Sequence, residues 1–254
     1  MQSGTPAYFA SAAFSDVPRL LPAGGLTSLD FGVGEPDGCA KSTVGGCRVF
    51  RCPSRIEATP SQSTEPNVGA ITITWPPAAS PDGGGGLPPP VTFPPDSYDL
   101  FFWQTGTPVA RFGFSAAGGT IPAFPATDVD APQLFEVTQL NGSPALGPHA
   151  PPSVPRASGL SVSWTGGIAD AVFVLRQSQV GSDNNVSEDL RAVCRVAASA
   201  GSFTFSSGVL GEFQPGDASL GASLVSSTTV AAGDYATTLA IAAPYPWNFP
   251  LAIE

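Results

Sequence analysis

Apolar and polar residues alternate with a period of two along several short stretches of this chain, and this alternation restricts the fold more than any other feature. Isoleucine and tryptophan alternate with threonine in residues 70–75, and leucine, valine and tryptophan alternate with serine in residues 160–164. Such stretches predict half-buried strands. The runs 100–103 and 171–175 are apolar at every position and predict central strands covered on both faces. No window carries the 3.6-residue period of a helix, so the fold is predicted to be nearly all β.

The 29 glycines and 28 prolines fit such a fold as turn residues between many short strands. Because 42% of the residues are hydrophobic and only 12% are charged, the chain can bury a core, which disordered chains cannot do. Two long stretches rich in proline and glycine, 80–90 and 147–155, predict loops, and the second makes the better domain boundary. We therefore expect an irregular N-terminal segment with a disulfide cluster (1–62), a first β-sandwich unit (63–147) and a second β-sandwich unit with an aromatic C-terminal tail (148–254).

The four cysteines, an even number, predict two disulfides in an oxidising compartment. Cys39, Cys47 and Cys52 lie close together in the sequence, and Cys194 lies far downstream. One bridge must therefore close a short loop within residues 39–52 while the other reaches Cys194, and three pairings are possible. A zinc site made of these cysteines and His149 is the alternative, but the cysteine spacings do not match paired C-x₂-C motifs.

The formal net charge of −10, without any run of lysine or arginine, argues against nucleic acid and anionic lipid as partners, because both would repel the chain. No stretch reaches the roughly 18 apolar residues that span a bilayer, so no membrane span is predicted. Residues 1–4 lack the basic start of a signal peptide. Since disulfides indicate export, we expect a secreted protein of the extracellular space or cell envelope, whose signal sequence is missing from the chain as given.

Three strand-and-turn motifs give the chain a resemblance to known sequences. They are GGTIPAF at 118–124, GLSVSWTGG at 159–167 and CRVAASAGSFTF at 194–205. Together they resemble uncharacterised secreted proteins and lipoproteins of soil bacteria, of the myxobacterial and acidobacterial type, over roughly residues 66–240. The resemblance implies an extracellular or envelope setting and an immunoglobulin-like β-sandwich. It brings no catalytic residues, and the acylated cysteine that begins a mature lipoprotein is missing here.

Few residues of this chain can transfer protons, so we expect neither an enzyme nor a cofactor. The one histidine, His149, lies in the second proline-rich stretch, where a hydrolase triad is not expected. No G-x-S-x-G motif occurs. Carboxylate pairs, which a glycoside hydrolase needs, stand beside turn residues, where aspartate is favoured for structural reasons. The candidate groups are Asp96/Asp99, Asp128/Asp130 and Asp183/Glu188/Asp189.

The sequence 182–189 concentrates oxygen-bearing side chains that suit calcium. Its candidate ligands are Asp183, Asn185, Glu188 and Asp189. The segment lacks the ligand spacing and the central glycine of a helix–loop–helix calcium site, so a solvated hairpin loop is the favoured interpretation. We therefore predict no metal site.

The C-terminal sequence 244–251 is dense in aromatic residues, namely Tyr245, Trp247 and Phe249. Prolines among them disfavour pairing as a central strand, so this tail is expected at an edge or on a surface. It either packs back on its own sandwich or docks on a neighbouring subunit.

The function expected from these features is that of a non-catalytic structural surface subunit. It would assemble with copies of itself or with another envelope component. A solitary module for carbohydrate binding or adhesion, with a glycan as partner, is the alternative. A glycoside hydrolase that uses a carboxylate pair is the least favoured hypothesis.

Overall fold

A computed structural model describes residues 7–16, 39–53, 69–74, 90–93, 99–103, 110–145, 151–180, 186–244 and 248–254. Its first strands are β1 (Ala7–Asp16), β2 (Ala40–Val44), β3 (Cys47–Pro53), β4 (Ile71–Thr74), β5 (Val91–Phe93), β6 (Asp99–Trp103), β7 (Arg111–Ala116), β8 (Thr127–Asp130) and β9 (Gln133–Leu140). The remaining strands are β10 (Ser143–Pro144), β11 (Ser153–Val154), β12 (Leu160–Ile168), β13 (Asp170–Val180), β14 (Val186–Ala197), β15 (Ser202–Phe205), β16 (Gly216–Ala232), β17 (Tyr235–Pro244) and β18 (Phe249–Ile253). A 3₁₀ turn (Ala198–Ala200) and the short helix α1 (Ser207–Gly211) complete the described elements, which confirms the prediction of a nearly all-β chain.

The chain divides into two compact units, each assembled from three stretches of sequence. The first unit comprises residues 1–34, 61–132 and 225–244, and the second comprises residues 35–60, 133–224 and 245–254. Strand β16 passes from the second unit to the first after Leu224. The sequence predicts consecutive segments instead. Alternation shows that a stretch forms a strand, but it does not show which other strand is its partner in the sheet.

The first unit contains two sheets around one core. One sheet has the strand order β5-β4-β7-β8, and the other continues from the end of β16 through β17 and β1 to β6. Phe112 and Phe114 of β7 belong to the same buried cluster as Leu239 and Ile241 of β17. Burial of such side chains is worth roughly 1.5–3 kcal/mol each, so this cluster is the main source of cohesion in the unit.

The second unit is also a sandwich-like pair of sheets. The smaller sheet has the order β10-β9-β12-β15, and the larger runs β2-β3-β14-β13-β16, with β18 beside β16 and β11 beside β18. The ring centroids of Trp164 in β12 and Phe173 in β13 are 5.1 Å apart, so aromatic contact joins the two sheets. Nε1 of Trp164 donates a hydrogen bond of 2.7 Å to the carbonyl oxygen of Ala198, which satisfies the one polar atom of this buried ring.

The alternation of apolar and polar residues from which strands were predicted agrees with the alternation of buried and exposed side chains in the structure. In β4 the isoleucines are buried and the threonines are more exposed, and in β12 Leu160, Val162 and Trp164 are buried. Residues 171–175 are buried at all five positions, as a central strand covered on both faces requires. The side chains of the second apolar run, 100–103, lie outside the described residues, although its backbone forms part of β6.

The cysteines join regular strands. Strands β2 and β3 form a hairpin, which the two-residue turn Gly45-Gly46 closes with positive φ at both glycines. Cys39 bonds to Cys52 across the open end of this hairpin. Cys47 bonds to Cys194 and so ties β3 to β14.

The two predicted disulfides are therefore confirmed, and no thiol is left to form the alternative zinc site. The expectation of an irregular segment over residues 1–62 is wrong for its described part, which contains β1, β2 and β3. Strand β1 escaped sequence analysis because its sequence, AYFASAAFSD, is composed mainly of alanine and serine and shows no clear alternation.

Ala169 lies between β12 and β13 with a φ of 103°, a backbone conformation that favours glycine. Replacing Ala169 by glycine should raise the free energy of unfolding by about 1 kcal/mol, because the strain released exceeds the entropy that glycine adds to the unfolded chain. Urea unfolding followed by circular dichroism measures this change.

Gly167→Ala is the matched control with the opposite sign. Gly167 has a φ of 91°, and a Cβ there would lie 3.1 Å from Cβ of Phe135. This variant should lose stability while Ala169→Gly gains it. A loss of stability in Ala169→Gly would contradict the assignment of strain to that residue.

Candidate functional site

Four arginines gather on the outer face of the larger sheet in the second unit. Along β13 and β14 every second residue enters the core, as Phe173 and Cys194 do, so the residues between them face away from the core. These outward positions, together with the equivalent positions of β3, carry the charged side chains. We term the following six residues the arginine face: Arg48, Asp170, Arg176, Asp189, Arg191 and Arg195.

Two of these arginines stand directly opposite each other. The register of β13 and β14 pairs Arg176 with Arg191, which places their Cβ atoms about 5 Å apart and is destabilising for like charges. Asp189 compensates, since its Oδ1 accepts from Nε of Arg176 at 2.9 Å and its Oδ2 accepts from Nε of Arg191 at 2.7 Å. The side chain of Asp189 is 14% exposed and that of Arg176 is 52% exposed. One positive charge therefore remains in excess and in contact with solvent.

Arg195 and Arg48 extend the arginine face along β14 and onto β3. Nε of Arg195 donates a hydrogen bond of 2.6 Å to Oδ2 of Asp170. The guanidinium carbon of Arg48 lies 5.7 Å from the centroid of the Phe50 ring, a cation–π distance. The face carries four positive and two negative charges, although the chain as a whole has a net charge of −10.

Apolar side chains lie between the charged ones on this face and are buried. Val193 lies between Arg191 and Arg195 along β14, and its partner across the pair with β13 is Val174, which is also buried. Arginine covers such apolar surface with its methylene stem while its guanidinium group stays in water. The result is a sheet surface with charged groups over an apolar base.

The aromatic tail predicted as an interaction site is placed only in part. Tyr245 and Trp247 lie outside the described residues. Phe249 is 2% exposed and belongs to the core of the second unit, opposite Leu220 in the register of β18 with β16. Phe249 is therefore a core residue and is not available for docking. Pro250 is tolerated because β11 pairs with β18 only after it, at the last two residues of the strand.

The calcium candidates do not form a described cluster. Asp183 and Asn185 lie outside the described residues, and Glu188 precedes Asp189 in β14. Asp189 is bonded to two arginines, whose charge would oppose a calcium ion. No group of three or more His, Cys, Asp or Glu residues that could hold a metal occurs within the described ranges.

The carboxylate pairs considered for catalysis are also placed in part. His149 and Asp96 lie outside the described residues, and Asp99 begins β6. Asp128 and Asp130 are exposed on β8, and Nη1 of Arg111 donates a hydrogen bond of 3.2 Å to Asp128. Their alternate positions place both aspartates on one face of the strand, on either side of the buried Val129.

Sequence reasoning missed the arginine face because its members are dispersed along the chain. Arg48 is more than a hundred residues away from Arg176, so no basic run marks the site. The available signal was local: Arg191 and Arg195 occupy positions of equal parity in a strand whose intervening residues are apolar. Their neighbours on β13 and β3 become visible only when the register of the sheet is known.

Comparisons with known proteins place the chain in no group. It matches no protein-family model, no curated protein and no solved structure. The resemblance to secreted proteins of soil bacteria therefore stays a prediction, and so does the immunoglobulin-like form of the sandwich. Within the part of the chain that the structure describes, no helix is long and apolar enough to cross a membrane.

Proposed function

We propose that this protein is a non-catalytic structural subunit of the cell surface or extracellular space and that it assembles with copies of itself. The arginine face is the observation that carries this proposal. Charged groups on a sheet surface confer orientation and specificity on a contact between macromolecules. Arg176 and Arg191 share one carboxylate, and the side chain of Arg176 is 52% exposed with only its Nε bonded to a described residue.

The setting outside the cytoplasm is supported by the two disulfides. Disulfides form and persist in oxidising compartments, and the hairpin of β2 and β3 carries cysteines of both bridges. The edge strand β2 also exposes Lys41, a residue type that discourages unspecific edge-to-edge pairing of sheets. Assembly through a specific face is therefore favoured over assembly through this edge.

A non-catalytic role is supported by the bonding of four described carboxylates to arginine side chains. Asp170 and Asp189 are bonded to arginines of the arginine face, Glu212 is 2.9 Å from Nη2 of Arg51, and Asp128 is bonded to Arg111. General acid–base catalysis needs a carboxylate within hydrogen-bond reach of the substrate, and the oxygens of these carboxylates are held by guanidinium groups instead. Four described carboxylates thus serve to join neighbouring segments of the fold.

A solitary carbohydrate-binding module is the alternative hypothesis. Such a module needs exposed aromatic rings on which sugars stack. The aromatic side chains whose burial the structure describes are buried, apart from the half-buried Phe203, and the only exposed large hydrophobic residue among those described is Ile168. This observation favours the structural subunit.

The test of the proposed function is the oligomeric state of the full chain. Size-exclusion chromatography with light scattering at micromolar concentration should give a mass that is a multiple of the monomer mass and that rises with concentration. If the chain is monomeric at every concentration up to ~100 μM, its dissociation constant is too high for a stable layer of subunits. That result would reject the structural subunit in favour of a solitary module.

A further inference from the structure

The two units differ in charge. Among the described residues, the first unit carries five acidic residues and one basic residue, Arg111. The second unit carries seven acidic and seven basic residues over the same described ranges. Over its full range the first unit has nine acidic and two basic residues, and the second has eleven acidic and eight basic residues, so the first is the more acidic of the two. The arginine face of one copy is therefore complementary in charge to the first unit of another copy.

The exposed aspartates of β8 are the acidic groups best placed to meet the arginine face. Strand β8 pairs with β7, and no described strand lies on its other edge. Asp128 and Asp130 are both exposed, and two residues along a strand correspond to about 7 Å. Asp130 has no ion-pair partner among the described residues, and the pair of Asp128 with Arg111 is more than half exposed on both sides.

The arginine face complements β8 in charge. Arg176, Arg191 and Asp189 together carry one positive charge. Asp128 and Asp130 together with Arg111, which stands opposite Asp130, carry one negative charge. Arg176 and Arg191 stand side by side with one shared carboxylate between them, and no described residue bonds to the Nη groups of Arg176. Guanidinium groups bind carboxylates with two parallel hydrogen bonds, so a second carboxylate would balance the remaining positive charge. Two long arginine side chains can span the distance between Asp128 and Asp130.

We propose that the arginine face of one molecule binds β8 of a second copy, with Asp128 and Asp130 received by Arg176 and Arg191. This inference rests on the proposed function, since it names the partner of the same face. The contact is head-to-tail, because it joins two different surfaces of the same chain. A contact of this kind does not close on itself unless its rotation forms a ring, so it generates chains or layers of subunits.

Reversing the charges of each surface by substitution tests the proposal. One variant is Arg176→Glu/Arg191→Glu and the other is Asp128→Lys/Asp130→Lys, each in the full chain. Glu136→Lys is the control, since it reverses one exposed charge on β9 of the smaller sheet and belongs to neither surface. Because Arg176→Glu/Arg191→Glu leaves Asp189 without its partners, the milder Arg176→Gln/Arg191→Gln is included, and circular dichroism verifies folding of every variant. Association is measured by sedimentation velocity.

Each charge-reversed variant should associate about tenfold or more weakly than the unaltered chain, because like charges then meet across the contact. An equimolar mixture of the two variants should recover association, and Glu136→Lys should behave as the unaltered chain. Raising the salt concentration from ~0.1 M to ~1 M should weaken association of the unaltered chain, as the screening length falls from about 10 Å to about 3 Å.

Three results would overturn the inference, and they separate it from the proposed function. If the unaltered chain assembles and both charge-reversed variants assemble equally well, another surface mediates assembly and only the inference fails. If the unaltered chain stays monomeric, the proposed function fails as well. If the monomer is retained by an immobilised sulfated polysaccharide and Arg176→Gln/Arg191→Gln is not, the arginine face binds an acidic glycan instead of a second copy.

Discussion

Replacing Cys47 and Cys194 together by alanine should lower the free energy of unfolding by about 5 kcal/mol. The bridge joins residues that are 147 positions apart, and closing so long a loop removes much conformational entropy from the unfolded chain. Both cysteines are also buried in the core of the second unit. Because stabilities of single domains amount to about 5–15 kcal/mol, this variant should be partly unfolded at 37 °C. Urea unfolding under non-reducing conditions measures the loss.

The other disulfide provides the matched control. Cys39 and Cys52 are 13 positions apart, so the same model gives about 3 kcal/mol for their replacement by alanine. The ranking of the two variants is the decisive result, since both lose one bridge and two sulfur atoms. A larger loss from the short bridge would show that loop entropy does not govern the contribution of these disulfides.

Replacing Phe249 by alanine should cost about 3–5 kcal/mol of stability, the usual range for a large aromatic residue in a core. Phe249 is buried on the face of β18 that also contributes Leu251 and Ile253 to the core of the second unit. The variant should therefore show a lower midpoint of chemical unfolding. Its folded fraction should keep the oligomeric state of the unaltered chain, because the phenylalanine packs within its own unit.

Pro250→Ala is the control for this experiment. Pro250 is exposed on the same strand, so its replacement should change stability by no more than about 0.5 kcal/mol. If Phe249→Ala leaves stability unchanged and instead dissociates the assembly, the tail docks on a neighbouring subunit and its placement in the core is wrong.

Much of the local structure could be predicted from the sequence, because burial follows alternation directly. The isoleucines of β4 and the residues Leu160, Val162 and Trp164 of β12 are buried as the two-residue period indicates. The pairing of the cysteines was likewise narrowed by their spacing to one short and one long bridge. The burial pattern depends only on residues that are near one another in sequence. The prediction of two disulfides depends only on the number and spacing of the four cysteines.

The arrangement of the units and the arginine face could not be predicted, because both depend on register between distant strands. Nothing in the sequence near Arg191 indicates that Arg176 and Phe50 are its neighbours on either side. The prolines of the aromatic tail indicate a position at an edge or on a surface, and they leave open whether the tail packs on its own sandwich or docks on a neighbouring subunit. The alternating Phe249, Leu251 and Ile253 of the tail show the same period that identified the other buried strands.

The position of β18 bears on when the second unit can fold. This strand lies beside β16, while β3, in the same sheet, lies about two hundred residues earlier in the chain. Synthesis must therefore proceed to Ile253 before that sheet has all of its strands. In the same sheet β3 pairs with β14 across about 140 residues of sequence. Pairings of such sequence separation form slowly, because a long loop must close before any contact compensates for it. The second unit of a nascent chain thus stays incomplete until its last strand has been synthesised.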